Sequence, residues 1–387
     1  LRSADGDVLF KAAKLKNQKQ IEKEAFQRSL TQTLKKIGEF KEGKDEKFDY
    51  IENTYVLSSE DKFTYRMTTS IIELNKSGGL NNAYFMLKEP ICEDNDIFKE
   101  ESFVLDNDGA KMYGALTIPK DFTSKKVVFM MQGSGPQDMD ETVGLNGNKP
   151  FRDLAHGLAK LGVATLRIDK RYVNNAPKEY TVDEEVLSDA KLAIDELKKD
   201  SRFDDVYVLG HSLGAMLAPR VAKEEGLNKV AMLSASTMKF TDIIYSQQME
   251  YLDSGEVSQS VADFQKKEIT KIKEQIDAMT EKTKGNFFSM PASYVYSVNQ
   301  VSPVDDIKSS DFDVFIAHGS KDFQVKKDEL DKFEKALNGR EHVTYKLYEG
   351  LNHLMMPEDS NEFSVEIYDK ENHLSQDVIN DLAEFFK

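Results

Sequence analysis

A serine between two glycines, placed where an apolar strand gives way to a helix, constrains this chain more than any other feature. Gly210-His211-Ser212-Leu213-Gly214 directly follows the apolar run Val206–Leu209 and precedes a helix-like stretch, Ala215–Glu225. A serine on so sharp a turn sits in strained backbone. Small residues two before and two after it let strand and helix approach without a Cβ clash. The placement predicts a nucleophile elbow that exposes the Ser212 hydroxyl at the end of a strand.

The elbow belongs to a longer alternation. Ser102–Asp106 and Lys111–Ile118 flank Asn107-Asp108-Gly109, a hairpin signal. Strand patterns at Val127–Met131, Val163–Ile168 and Lys229–Leu233 alternate with helix patterns at Pro150–Leu161 and Val182–Lys198. Strands resume at Val314–Ala317 and Thr344–Leu347, and a helix at Ser375–Phe386 closes the chain. This predicts an α/β fold, a mostly parallel sheet with helices on both faces. The alternation breaks over about 237–300. There Tyr245–Leu252 and Val261–Met279 read as amphipathic helices, and Asn286–Tyr294 is unusually aromatic. Such an insertion predicts a helical cap over the carboxyl ends of the strands, where open α/β sheets bind ligands.

A chain of 387 residues exceeds what one compact core usually organises. Lys11–Phe40 carries Ile21, Phe26, Leu30, Leu34 and Ile37 at helical spacings. Tyr50–Val56, Phe63–Ile72 and Ala83–Leu87 are rich in β-formers, with Ser77-Gly78-Gly79 as a turn. Residues 1–90 therefore read as a small α+β module, 91–100 as a polar linker, and 101–387 as the larger α/β domain. A net charge of -16 argues against nucleic-acid and anionic-membrane partners. The single cysteine, Cys92, excludes an intramolecular disulfide and a Cys-rich metal site. No apolar run approaches a membrane span, and no His-Glu-x-x-His or paired Cys/His spacing suggests a metal, so no cofactor is expected. The first residues, Leu1-Arg2-Ser3, lack the order of a signal peptide, and their lack of an initial methionine fits a leader or tag removed.

A serine hydroxyl is a poor nucleophile at neutral pH; it needs a base, and the base needs an orienting carboxylate. Among six histidines, His156 falls in an amphipathic helix pattern, His211 is the variable residue of the elbow, His318 ends a strand and His342 begins one. His353 lies in a loop just after the strand Thr344–Leu347, at the edge of the sheet where the elbow sits, and is the leading candidate base; His373 is the alternative. The acid should lie after an earlier strand, in the order Ser, Asp, His. Asp322 follows the strand and glycine turn of Ala317–Lys321. Backbone donors for a developing oxyanion are the N–H of Leu213, after the serine, and that of Ser134 in the glycine loop Gln132–Pro136.

From about Glu101 onward the chain resembles the α/β-hydrolase superfamily, within it the bacterial esterases grouped as dienelactone-hydrolase-like or S9-peptidase-like. The likeness rests on Gly133-Ser134-Gly135-Pro136-Gln137-Asp138, Leu166–Arg171, Gly210–Gly214, Met290–Tyr294, His318–Asp322 and Gly350–His353, in order. It implies a Ser212–Asp322–His353 triad and carboxylesterase activity on esters of small or aromatic acids, with a small-molecule ester as the partner. Met139 stands where these proteins usually carry arginine, and Tyr172 where they carry glycine, which implies a reshaped entrance. A weak likeness of the first module to those of secreted bacterial hydrolases points toward export. Phe287, Phe288, Met290 and Tyr294 are candidates for an apolar acyl pocket. A peptidase or thioesterase uses the same triad. A non-catalytic binding protein on this fold normally lacks a triad member or the loop glycines, and all are present here.

Overall fold

The computed structural model describes residues 34–44, 49–57, 66–74, 80–90, 92–144, 147–173, 176–255, 257–360 and 364–387. The chain divides into two compact units, Leu1–Glu93 and Asp94–Lys387. In the first, β1 (Leu34–Lys44), β2 (Asp49–Leu57), β3 (Arg66–Leu74) and β4 (Leu80–Pro90) form an antiparallel meander in sequence order. The helical spacing read through Phe40 gives way here to a strand. Leu34 and Phe40 lie in β1, paired opposite Leu57 and Asn53, with a register shift between Lys36 and Phe40. Such an irregularity breaks the two-residue alternation that identifies a strand in sequence. The expected helix before residue 34 and the Ser77–Gly79 turn lie outside the described residues.

The second unit is built on an eight-stranded sheet in the order β14-β13-β10-β9-β7-β8-β6-β5. β5 (Phe98–Asn107) and β6 (Ala110–Pro119) form the expected hairpin, closed by Asp108 and Gly109 with φ of 53° and 82°. Both positive angles are what a two-residue turn needs to match strand twist. β6 is antiparallel to β8 (Ala164–Ile168). The strands β7 (Lys126–Met131), β9 (Asp205–His211), β10 (Lys229–Leu233), β13 (Asp313–Gly319) and β14 (Val343–Tyr348) continue the sheet in parallel. Helix α1 (Pro150–Lys160) packs Phe151, Leu154 and Leu158 against one face, with Val378, Leu382 and Phe386 of the last helix. The helices α2 (Ser188–Lys199) and α3 (Leu213–Glu225) bury Ile194, Leu197, Leu217 and Val221 on the core cluster that includes Val127, Val208 and Val230. β7 has β8 on one side and β9 on the other, so the chain reverses direction across the sheet at this point. The loops after β7 and β9 meet there, at the site where such sheets leave a crevice.

Between β10 and β13 the inserted segment forms α4 (Phe240–Asp253), α5 (Gln259–Asp277), a short hairpin of β11 (Asn286–Phe287) and β12 (Met290–Pro291), α6 (Ala292–Val298) and α7 (Pro303–Lys308). α8 (Asp328–Ala336) follows β13, and α9 (Gln376–Phe386) ends the chain. No helix among the described residues is long and apolar enough to cross a membrane.

One buried charge cluster ties the outer hairpin to the loop after β7. Arg167 of β8 donates to Glu100 of β5 at 2.8 Å and to Asp140 at 2.9 Å, and to the Thr117 hydroxyl at 2.8 Å. Burial opposes ionisation of Glu100, but Arg167 and His156 beside it hold its carboxyl well below the ordinary range. Removing the guanidinium strands two buried carboxylates. Arg167→Met should therefore lower stability by about 3–5 kcal/mol in denaturant titration. Replacing Glu100 and Asp140 with apolar residues in the same protein should recover much of that loss.

Candidate active site

Ser212 occupies the turn between β9 and α3 with φ 52° and ψ −118°, a region that non-glycine residues seldom enter. Packing enforces it. A Cβ on Gly214 would lie 2.2 Å from the Met131 carbonyl oxygen, and one on Gly210 would lie 2.2 Å from that of Gly214. Only glycine lets β9, α3 and the end of β7 come this close. The Ser212 N–H donates to the Leu233 carbonyl at 2.9 Å, which fixes the elbow to β10.

Asp322 follows the end of β13, and its carboxylate is buried. One oxygen accepts the Gln324 and Val325 N–H groups, both at 2.8 Å, and the other lies 2.7 Å from His353 Nδ1. Burial pushes this carboxyl up, but the charge and hydrogen bond of His353 and the backbone donor outweigh it, so its pKa is lowered. The loop that carries His353 is held by Asn352, whose side-chain oxygen accepts the N–H groups of Leu354 and Met356 at 3.0 and 3.2 Å. His353 itself is 4 % exposed. Its ring lies against that of His211, centroids 4.7 Å apart, next to the elbow serine. An Nδ1–H donated to Asp322 leaves Nε2 as a lone pair able to take a proton. His373 instead pairs with Asp153 at 3.0 Å and is largely exposed. His318 is buried against the Ala235 carbonyl at 2.7 Å, and His156 meets Glu100 at 2.9 Å.

The glycine loop after β7 is fixed on both sides by side chains. The Gly133 N–H donates to Glu141 Oε1 at 2.6 Å. Lys170 Nζ donates to the Gly133 and Gly135 carbonyls at 3.3 and 2.9 Å, and Gln137 Nε2 donates to the Ser134 carbonyl at 3.2 Å. With Gly133 N–H turned inward, Ser134 is the next backbone donor along the loop, and Leu213 N–H opens α3. Glu141 Oε1 also lies 2.9 Å from His211 Nδ1, and His211 Nε2 donates to the His353 carbonyl at 2.8 Å. Burial pushes His211 down, but the Glu141 charge and hydrogen bond dominate and its pKa is raised.

Ser134, Gly135 and Pro136 border a cavity of about 470 Å³ whose other walls include Tyr172, Tyr180, Phe240, Phe288, Met290 and Tyr294. Three of the four aromatic and methionine candidates from the insertion thus reach it. Phe287 does not line it, because the turn between β11 and β12 carries positive φ at Phe288 and Ser289 and presents Phe288 to the cavity instead. Tyr172 is part of the wall, whereas Met139 is buried beneath the loop with its N–H on Asp169 at 2.8 Å. A second recess of about 900 Å³ lies between α4, α5, the Phe323–Gln324 segment and residues 364–366. No group of three or more His, Cys, Asp or Glu side chains among the described residues could hold a metal ion.

Residues 148–360 match the family described as serine aminopeptidase, S33. The chain is 30% identical over 330 residues to the esterase EstD of Thermotoga maritima, covering 83% of this chain and 77% of that protein. Among solved structures it is similar to Est1E from Butyrivibrio proteoclasticus, at 18% identity and TM-score 0.47 over 73% of this chain and 96% of the other. An esterase of Pyrococcus furiosus aligns at 17% identity and TM-score 0.48, covering 74% and 90%.

Sequence reasoning missed Glu141, Lys170 and Glu185, the charged residues behind the glycine loop. The available signal was an acidic run, Asp138–Glu141, and Asp169-Lys170-Arg171, each within a few residues of a site loop. Their roles suggest a pH test. A His held above its unfolded pKa adds stability below about pH 6.5, and that stability is lost as pH rises through the folded pKa. The stability advantage of the wild type over Glu141→Gln should therefore be largest near pH 6 and shrink toward pH 9. Urea titrations across that range check it, and a difference that grows with pH would contradict the Glu141–His211 pairing.

Proposed function

The chain belongs to the serine aminopeptidase S33 family of α/β hydrolases, and from that premise we propose that it is a carboxylesterase working through a Ser212–His353–Asp322 triad. It is an esterase-type hydrolase like its Thermotoga maritima relative. The observation that carries the residue assignment is the 2.7 Å Asp322–His353 contact, with His353 packed ring to ring against His211, the residue before a serine held in strained backbone. His353 Nε2 takes the Ser212 proton as Oγ bonds to the ester carbonyl carbon. Asp322 holds the imidazole in the required tautomer and stabilises it once charged. The N–H groups of Leu213 and Ser134 receive the oxyanion, each such donor worth about 3 kcal/mol in the transition state. Collapse breaks the ester C–O bond, and the alcohol leaves with the proton from His353. Water, deprotonated by the same histidine, then releases the acid from Ser212.

The insertion acts as a cap in this reading, walling the acyl cavity through Phe240, Phe288, Met290 and Tyr294. An ester fits the cavity better than a peptide with a free amino terminus. The acidic residue among its described lining is Glu185, whose charge Lys170 neutralises at 3.1 Å, which provides no net charge for an ammonium group.

Ser212→Ala should reduce kcat on the order of a million-fold and abolish fluorophosphonate labelling. Asp322→Asn should cost about 10⁴-fold in kcat, and adding His353→Ala to Ser212→Ala should change little. Residual activity of several per cent in purified Ser212→Ala, or inactivation by His373→Ala instead of His353→Ala, would remove these assignments. For the cavity, kcat/KM for acetyl, butyryl, octanoyl and cinnamoyl esters should shift in relative order in Phe288→Ala, by about tens of fold. Equal losses on all four would mean that Phe288 supports structure rather than selecting the acyl group.

A further inference from the structure

A run of buried polar side chains joins the glycine loop to the cap helix α6. At the loop end, Lys170 Nζ donates to the Gly133 carbonyl at 3.3 Å and to the Gly135 carbonyl at 2.9 Å, and the Lys170 backbone N–H donates to the Gln137 carbonyl at 3.1 Å. The Gly133 carbonyl shares one peptide plane with the Ser134 N–H. That plane is rigid, and a trans peptide points its C=O and N–H in opposite directions. Turning the Gly133 carbonyl onto the buried ammonium therefore turns the Ser134 N–H the other way. This is the amide that receives the oxyanion in the esterase reading.

Lys170 can hold that plane only if it is itself held. Its side chain is 4 % exposed, and its third N–H goes to Glu185 Oε1 at 3.1 Å. An ammonium buried without a carboxylate would be costly, so Glu185 keeps Lys170 in place. Glu185 sits on a single π-helical turn, Asp183–Leu187, just before α2. Such turns are rare and are found mostly at functional sites. The Tyr294 phenol of α6 is the hydrogen-bonding neighbour of Glu185. Tyr294 is buried, and burial together with the Glu185 charge pushes its phenol well above the ordinary range, so the O–H remains a donor. Two further contacts seat α6 on the segment before the π turn. Ser293 donates to the Tyr180 carbonyl at 2.8 Å, and Ser297 accepts the Val182 N–H at 3.0 Å. Four residues apart, these serines share one face of the helix.

We propose that Tyr294 and Glu185 are positioning residues, which act through Lys170 on the Ser134 N–H and make the oxyanion donor depend on how the cap helix is seated. This rests on the esterase reading and adds to it. There the cap walls the acyl cavity; here it also sets the rate at which any ester reacts.

Tyr294→Phe tests the link, because it removes one oxygen and keeps the ring that walls the cavity. With 4-nitrophenyl acetate, butyrate, octanoate and cinnamate, kcat should fall about tenfold on all four, with KM little changed. That is a fraction of the about 10²- to 10³-fold that loss of a whole oxyanion donor costs. Lys170→Met should cost more, and Tyr294→Phe added to it should cost less than about twofold further, because both act on one peptide plane. Should Lys170→Met fail to fold, Glu185→Gln, which keeps the shape of the side chain, takes its place in the cycle. A second measurement needs no turnover. In protein labelled with ¹⁵N-serine, the Ser134 amide signal, assigned by its loss in Ser134→Ala, should shift in Tyr294→Phe. It should stay in place in Tyr251→Phe, a cap tyrosine that lines the other recess. A loss confined to the larger esters, additive losses in the cycle, an unmoved Ser134 signal in Tyr294→Phe or an equal shift in Tyr251→Phe would each overturn the proposal. If wild type hydrolysed none of the four esters, the esterase reading would fall, and the Ser134 signal would still decide whether Tyr294 acts on the loop.

Discussion

A glycine loop provides a backbone donor at a fixed point only if its peptide planes are held, because glycine itself prefers no conformation. Here side chains hold the loop after β7 from both sides. Glu141 takes the Gly133 N–H, and Lys170 binds the carbonyls of Gly133 and Gly135. The loop is thereby pinned next to Ser134, the residue we propose as an oxyanion donor. The same Glu141 oxygen meets His211, and His211 reaches the His353 carbonyl. One buried carboxylate thus links the glycine loop to the residue before the serine and, through it, to the backbone of His353, the base we propose. Preorganisation of this kind means that the groups need not reorient as charge develops.

The strain at Ser212 has its counterpart in the surrounding packing. A positive φ at a serine persists only where neighbours leave no alternative. The close approach of Gly214 to the Met131 carbonyl and the hydrogen bond from Ser212 to Leu233 are those neighbours. Both depend on β7, β9 and β10 lying side by side in register, which the parallel core of the sheet secures. Farther out, Arg167 connects Glu100 on β5 with Asp140, the residue before Glu141. The edge hairpin is in this way part of the support of the loop that Glu141 braces.

Some of this was readable in the sequence, and the reason lies in where each residue stands. Lys229–Leu233 spans the same residues as β10, because short fully buried strands carry continuous apolar runs bounded by polar turns. Asp322 and His353 each follow a strand closely, so the parallel order of the sheet predicts that they emerge at one edge. Glu141, Lys170 and Glu185 carry no such marker. Glu141 and His211 lie 70 residues apart, and Lys170 and Gly133 lie 37 apart. Proximity between loops is decided by the strand order, which no local pattern encodes. The π turn at Asp183–Leu187 departs from the 3.6-residue period, so a helix reading passes over it and misses which way Glu185 points. Likewise, Phe287 and Phe288 look equivalent in sequence, and the backbone of a two-residue turn decides between them.

The buried charges near the site follow a common rule. Glu100 and Asp140 share Arg167, Glu141 faces His211, and Glu185 faces Lys170. Each carboxylate would be costly to bury alone, and each has a cation or a titratable partner within hydrogen-bonding distance. Arranged this way, they add rigidity around the cleft without giving it a large net field. A neutral ester gains nothing from such a field, whereas its carbonyl gains from donors already in place. The charge pattern around the cavity therefore agrees with the uncharged substrate we propose, since Glu185, the acidic residue of its described lining, is neutralised by Lys170.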